Sequence, residues 1–318
     1  MVLPYILFAV GLLLIIKGGD YFVDSATWIA KVTRMPEVLI GATIVSLATT
    51  FPETMVSTLS AIGGQPAMAI GNAVGSTICN TGLILGLYNF IRPSKINSRV
   101  FVVKGLLLIS YIGVLWLLSL KGVIDLRSSF FLLSLLLLFI ASNLAIASYR
   151  KNKNSQLMLP KSTVHKEWMP QIGKFVVGIV LIIIGSKLLV TYGIDIAELW
   201  GVPSAVISLS IIALGTSLPE LVTSMTALMK GHAGLSMGNI LGANILNICM
   251  VLGISAQFSP LEISKQNIYL DIPVSLGINL LLVVPSILTR RISRLQAALL
   301  LAVYGAYMVL LFYINAPI

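Results

Sequence analysis

Ten stretches of this chain, each close to 20 residues, are almost free of charge. They run over 2–25, 38–61, 67–90, 100–120, 127–149, 172–192, 204–229, 234–257, 267–289 and 294–315. Such runs restrict the fold more than any other feature, because a backbone in hydrocarbon must satisfy its own N–H and C=O groups. An α-helix does this within one segment of about 20 residues, whereas barrel strands are half as long and alternate in polarity. The 318 residues are 57% hydrophobic and 10% charged, with a mean hydropathy of +0.99, which excludes a soluble domain. The expected fold is an all-α membrane protein with ten transmembrane helices.

The net charge of +10 would suit a nucleic-acid partner if it formed a patch. It is instead distributed by loop. With the N-terminus outside, the cytoplasmic connections carry 16 of the 21 basic residues, from Lys31 and Arg34 through Arg92, Lys95, Arg99 and Arg150 to Arg290, Arg291 and Arg294. The opposite loops carry Lys121, Arg127 and Lys265, and Lys17 and Lys187 lie near span ends. This asymmetry predicts a multi-pass protein of the plasma membrane with both termini extracellular or periplasmic. The basic charge reports topology and contact with anionic lipid, so no nucleic-acid partner is expected. Met1 to Pro4 lacks the basic start of a cleavable signal. Cys79 and Cys249 fall inside spans and read as packing residues. His165 and His232 fall in loops without ligand spacing, and Asp20, Asp24 and Asp271 read as interfacial.

A phrase recurs within two of the spans. Ser46–Glu53 reads S-L-A-T-T-F-P-E, and Ala213–Glu220 reads A-L-G-T-S-L-P-E. The offset of 167 residues that joins Glu53 to Glu220 also joins Pro36 to Pro203, Ile40 to Ile207 and Ser57 to Ser224. It further joins Gly71-Asn72 to Gly238-Asn239, and Gly75, Ile78, Asn80 and Gly86 to Gly242, Ile245, Asn247 and Gly253. Proline, glutamate and asparagine are uncommon in spans, so these matches mark an internal repeat. Each half holds five spans, and an odd number forces the second half into the membrane upside down. The expected organisation is a five-helix repeat over 1–150, a basic cytoplasmic linker over 151–169 containing Pro160, and an inverted five-helix repeat over 170–318. Inverted repeats are typical of secondary transporters, with the substrate site at the midplane.

A carboxylate within a span is costly and reads as functional. Pro52 and Pro219 lack an N–H, freeing the carbonyls of Ala48 and Gly215, so helices 2 and 7 are expected to be broken there. Thr49 and Thr50 share the helical face of Glu53, as Thr216 and Ser217 share that of Glu220. Asn72, Ser76 and Asn80 form a polar stripe at helical spacing; Asn239, Ala243 and Asn247 are its counterpart. Carboxylates, hydroxyls, amides and carbonyls make an all-oxygen set suited to hard cations such as Ca²⁺ and Na⁺. Two carboxylates carry −2, which one Ca²⁺ or two protons would balance.

These segments resemble the repeats of the cation/Ca²⁺ exchanger superfamily, in particular the prokaryotic Na⁺/Ca²⁺ exchangers, and the resemblance covers essentially the whole chain. It implies alternating-access antiport of Ca²⁺ against Na⁺, with spans 1 and 6 sliding over a stable core and no cofactor beyond the transported ions. By resemblance, Glu53 and Glu220 with the carbonyls of Thr49 and Thr216 hold Ca²⁺. Thr50, Ser76, Ala213, Thr216 and Ser217 contribute to flanking Na⁺ sites, and Asn80 and Asn247 line the centre. Ser46, which aligns with Ala213, completes the candidate set. Ala48, Thr50, Thr77 and Ala243 depart from the usual Gly, Ser, Asn and Ser, and the missing hydroxyl at 243 weakens one Na⁺ position. Gly75 and Gly242 stand where the proton-coupled branch carries an acid, and Asn247 stands where the K⁺-dependent branch does. The alternative is an H⁺-coupled antiporter of Ca²⁺ or another divalent cation. No nucleophile–base pair or nucleotide loop suggests an enzyme, and a monomer would suffice for transport.

Overall fold

The computed structural model describes residues 2–96, 98–153, 161–200 and 215–315. Among these residues the chain forms ten helices: α1 Leu3–Thr33, α2 Glu37–Ile62, α3 Pro66–Ile91, α4 Arg99–Ser119, α5 Leu126–Lys153, α6 Lys161–Leu199, α7 Leu218–Met229, α8 Ala233–Phe258, α9 Asn267–Thr289 and α10 Arg294–Asn315. Nine of them, all but α7, are long and apolar enough to cross a membrane. Four short strands complete the described structure: β1 Ser94–Lys95, β2 Val123–Ile124, β3 Leu261–Glu262 and β4 Arg291–Ile292. Ala213, Pro160, and the start of the 204–229 span with Pro203 and Ile207 lie outside the described residues.

The chain divides into two compact units, Met1–Ala48 with Phe139–Asn239 and Thr49–Leu138 with Ile240–Ile318. In the first, α1 and α6 pack antiparallel. A Cβ added to Gly11 would lie 3.0 Å from the Gly185 carbonyl oxygen, and one at Gly18 would lie 2.9 Å from that of Gly178. Gly178 and Gly185 meet the same limit from the other side. Four glycines thus bring two backbones to a separation that no side chain fits. Phe22 stacks on Phe175 with ring centroids 4.6 Å apart, above a core of Val23, Ala26, Ala30, Ile182 and Ala227. A second close approach joins α2 to α8, where a Cβ on Gly41 would come within 2.7 Å of the Asn239 backbone nitrogen.

Helices α1 and α6 both overrun the spans drawn from hydropathy. Lys17 and Lys187 therefore lie well inside α1 and α6 with exposed side chains, whose aliphatic stems suit a lipid boundary. Residues 161–169, expected as linker, are helical, and His165 lies in α6. Asp20 and Asp24 stay partly exposed and bind the Lys230 ammonium at 3.0 and 2.7 Å. Burial alone would pull the Lys230 ammonium down, but its hydrogen bonds to Asp24 and Asp20 outweigh that and hold it above the ordinary lysine value. His232, expected as solvated loop, bonds Glu37 through Nδ1 at 2.8 Å.

In the second unit β1 pairs antiparallel with β4, Ser94 opposite Ile292 and Lys95 opposite Arg291. β2 pairs with β3, Val123 opposite Glu262 and Ile124 opposite Leu261. Asp125 opens α5 by accepting hydrogen bonds from the backbone N–H and hydroxyl of Ser128, at 2.9 and 2.7 Å. In α9, Pro285 leaves the Leu281 carbonyl without its helical donor, and Gln296 of α10 supplies one through Nε2 at 2.9 Å. Asp271, expected near the interface, is packed inside the protein. It is buried, and its carboxyl accepts from Asn267 Nδ2 at 2.8 Å and from the Tyr307 hydroxyl at 3.1 Å. The reason is local: α9 begins with a π turn over Asn267–Asp271, which turns that residue inward.

Candidate functional site

The two copies of the repeated phrase fold differently. In the first, α2 passes through a π turn at Gly41–Val45 and continues as regular α-helix over Ser46–Ile62, with Pro52 inside it. The expected break at Pro52 is therefore absent. One missing N–H removes one bond, and the bonds on either side keep the helix intact. In the second copy α7 begins at Leu218 with Ser217 as the N-cap and Pro219 in the first turn. Here the proline sits where its missing N–H costs nothing. Glu220 lies in that first turn, where the helix dipole favours a negative charge. Glu53 has no such helix end beside it.

Most of the candidate side chains are withdrawn from solvent. Glu53 is 1% exposed and Glu220 0%, and Ser46, Thr49, Thr50, Ser76, Asn80, Ser217 and Asn247 are likewise buried. Thr216 is half-buried in the turn before α7. Thr49, Thr50, Glu53, Ser76, Asn80 and Asn247 belong to one unit; Ser46, Thr216, Ser217 and Glu220 belong to the other. Each candidate acid rides on a helix tied to its neighbour by the same pair of residues. In one unit Asn72 donates through Nδ2 to Ser57 Oγ at 2.8 Å and to the Glu53 carbonyl at 3.4 Å. In the other Asn239 donates to Ser224 Oγ at 3.0 Å. Asn72 and Asn239 are thus helix-to-helix ties that set the height of the turns bearing the carboxylates.

Deeper in α3 and α8 both helices loosen at equivalent points, into π turns over Asn80–Leu85 and Asn247–Val251. Such turns are frequent at functional sites. Both asparagines are fully buried, and Asn80 Oδ1 and both polar side-chain atoms of Asn247 have no hydrogen-bond partner among the described residues. Buried amides are normally satisfied, so these three unbonded atoms set the two asparagines apart from most other buried amides among the described residues. Asn80 does use its nitrogen: Nδ2 donates to Asn244 Oδ1 at 3.1 Å. Asn244 was not among the residues singled out by sequence. The signal was present in G-A-N, but its repeat mate Thr77 carries no amide, so the symmetry did not point to it. Among the described residues no three His, Cys, Asp or Glu side chains gather into a metal cluster. Any cation site here draws on hydroxyls, amides and carbonyls besides the carboxylates.

Comparison with known proteins accounts for this constellation. The family model described as "Sodium/calcium exchanger protein" matches residues 3–145 and 171–313. The sodium/calcium exchanger MaX1 of Methanosarcina acetivorans is 30% identical over 98% of this chain and 99% of its own. The putative antiporter CaxA of Alkalimonas amylolytica is 34% identical over 98% of this chain and 99% of its own. Among solved structures, the sodium-calcium exchanger NCX_Mj soaked with 10 mM Na⁺ and zero Ca²⁺ superposes with a TM-score of 0.85 at 26% identity, covering 100% of both chains. A multi-pass membrane protein with two buried glutamates on a duplicated phrase, matched to one transporter family along both halves, belongs to the sodium/calcium exchanger protein family.

Proposed function

We propose that this protein is a secondary active antiporter that exchanges Na⁺ for Ca²⁺ by alternating access, at a midplane site built on Glu53 and Glu220. The observation that carries the reading is the pair of fully buried, repeat-equivalent carboxylates within apolar helices, joined in sequence register by buried amides with unmet polar atoms. A −2 site accepts one Ca²⁺ without net charge, whereas three Na⁺ leave +1, so exchange moves charge across the membrane. Thr49, Thr50, Thr216, Ser217, Ser76, Ser46, Asn80, Asn247 and the backbone at Ala213 complete the proposed ligand set.

The proposed architecture is ten crossings in two inverted five-helix repeats over 1–150 and 170–318, joined by 151–169. Parity supports it. β1 and β4 are paired and so share one membrane face, which requires an even number of crossings between Lys95 and Arg291. Five apolar helices lie between them, α4, α5, α6, α8 and α9, so α7 belongs to a sixth. The ribbon of β2 with β3 gives the same answer. The glycine contacts add to this: Gly11 and Gly178 are repeat mates, as are Gly18 and Gly185, and the contacts are exchanged between them as a two-fold axis would demand. Lys95 lies in one strand of the first ribbon with Arg92 and Arg99 beside it, and Arg291 lies in the other with Arg290 and Arg294 beside it. That face is proposed as cytoplasmic, with both termini outside.

The test is Ca²⁺ uptake into proteoliposomes loaded with Na⁺, at equal pH on both sides. The proposal expects uptake that follows the Na⁺ gradient; its absence, with uptake driven instead by a pH gradient without Na⁺, would establish proton coupling. One observation favours that second reading. Ala243 is fully buried and brings a methyl group where its repeat mate Ser76 brings a hydroxyl. Ala243→Ser is expected to raise apparent Na⁺ affinity under Na⁺ coupling and to leave it unchanged under proton coupling.

A further inference from the structure

Four buried side chains form a single chain of hydrogen bonds across α3, α8 and α9. Asn80 Nδ2 donates to Asn244 Oδ1 at 3.1 Å, and Asn244 Nδ2 donates to Thr81 Oγ1 at 2.8 Å. Thr81 Oγ1 donates to Asn279 Oδ1 at 2.9 Å, and Asn279 Nδ2 donates to the Ser275 carbonyl at 2.8 Å. All four residues are 0% exposed. The direction of this chain follows from its far end. A backbone carbonyl can only accept, so Asn279 must turn its nitrogen to Ser275 and its oxygen to Thr81. Thr81 has one proton and spends it on that oxygen, so it meets Asn244 as an acceptor. Asn244 must then offer nitrogen to Thr81 and oxygen to Asn80. Asn80 is left with one permitted orientation: nitrogen toward the chain and Oδ1 on the opposite side, where no described residue bonds it. The polarity therefore rests on donor and acceptor capacity rather than on which amide atom is drawn as oxygen.

We propose that Asn244, Thr81 and Asn279 are positioning residues that lock the Asn80 amide with its oxygen toward the transported cation, so that a neutral residue acts as a fixed oxygen ligand. This rests on the proposed reading that Asn80 lines the cation path. Before an ion binds, an amide free to rotate would rest in part with its N–H₂ toward the site, a face that repels a cation; the relay removes that state before the ion arrives. The repeat mate of Thr81 is Ile248, so Asn247 has no equivalent relay, in keeping with its two unbonded polar atoms.

The experiment measures the concentration dependence of Ca²⁺ uptake in proteoliposomes for Thr81→Val, Thr81→Ser, Asn80→Ala and the double variant Asn80→Ala/Thr81→Val. One freed hydrogen-bond constraint predicts an apparent KM for Ca²⁺ raised about three- to tenfold in Thr81→Val with the maximal rate retained. Thr81→Ser restores the wild-type KM. The double variant matches Asn80→Ala, because without the amide there is nothing left to orient. A residue serving only to hold the helices together would instead lower the amount of active protein and add its effect to that of Asn80→Ala, and either result overturns the proposal. Should Thr81→Val fail to fold, Asn279→Ala breaks the same chain at its anchor and carries the same expectation. Glu53→Gln in the same preparation keeps the two readings apart. Wild-type uptake there refutes the cation site itself, whereas its loss beside an unchanged KM in Thr81→Val refutes only the relay.

Discussion

Replacing Glu220 with glutamine removes one negative charge while keeping the shape and one oxygen of the side chain. Glu220 is 0% and Glu53 1% exposed, so bulk water does little to screen either. A carboxylate oxygen carrying about half a unit charge at a Ca²⁺ ligand distance of about 2.4 Å attracts the divalent ion by about 7 kcal/mol at an effective dielectric near 20. Part of that is returned, because a buried neutral amide avoids the desolvation cost of a charge, itself several kcal/mol. A net loss of about 3 kcal/mol remains, which is more than about a hundredfold in affinity. The assay is Na⁺-driven uptake of radioactive Ca²⁺ in proteoliposomes, with insertion verified by a monodisperse elution profile of the purified variant. Glu220→Gln and Glu53→Gln should each fall below about 2% of wild-type uptake at Ca²⁺ concentrations that half-saturate the wild type. Uptake within about tenfold of wild type in either variant would refute the two-carboxylate site.

Other perturbations test the frame that carries it. Asn72→Ala and Asn239→Ala each leave a buried serine hydroxyl without its amide donor, at 2.8 and 3.0 Å. Each should cost about 1–3 kcal/mol, read as a lower melting temperature in detergent; equal melting for both variants and wild type would refute the tie. Gly18→Leu drives a side chain into the Gly178 backbone and should destabilise by at least about 1–3 kcal/mol, whereas Gly173→Leu, in open space, should not. Asp125 is held below the usual carboxylate range, chiefly by the Ser128 N–H and then by its hydroxyl. A depressed folded-state value means its contribution is present above the ordinary aspartate range and is lost as pH falls through it, below about pH 4. Asp125→Asn should flatten that part of the melting-temperature profile against pH; an unchanged profile would count against the cap.

How far the sequence carried can be judged residue by residue. Hydropathy located the nine long apolar helices, because in hydrocarbon the backbone has no other economical form. It misjudged their ends. α1 runs on to Thr33 and α6 begins at Lys161 and ends at Leu199, beyond the apolar stretches at 2–25 and 172–192. Nor could it foresee that Lys230 binds Asp20 and Asp24, a pairing between residues some two hundred positions apart that no window along the chain detects. Proline chemistry predicted two broken helices and met one intact helix, because the outcome depends on where each helix starts: Pro219 sits at a beginning, Pro52 in a middle. The buried positions of the candidate ligands were legible, since costly polar residues in apolar runs seldom face lipid. Thr81 was not. A stripe drawn at α-helical spacing passes through 72, 76 and 80 and stops there, but the helix widens into a π turn at Asn80, so the next position joins the buried face.

The duplicated phrase also conceals an asymmetry that matters more than its symmetry. Sequence register pairs Asn80 with Asn247, Asn244 with Thr77 and Thr81 with Ile248. The relay that fixes Asn80 needs an amide at 244 and a hydroxyl at 81. At the mated positions Thr77 turns its hydroxyl onto the Ala73 carbonyl at 2.9 Å, and Ile248 has nothing to offer. One asparagine is thus held in a single orientation while its mate keeps both polar atoms unspent. An unbonded amide can turn either oxygen to a cation or nitrogen to an acceptor, so under the proposed function the Asn247 side would be the one that adapts as the bound ion changes in charge and number. If so, Asn247→Asp, which fixes oxygen at both atoms and adds a charge, should shift selectivity among monovalent ions more than Asn80→Asp does. Competition of Na⁺, K⁺ and H⁺ against Ca²⁺ uptake reads this directly, and equal shifts from the two variants would show that the halves are as equivalent in function as they are in sequence.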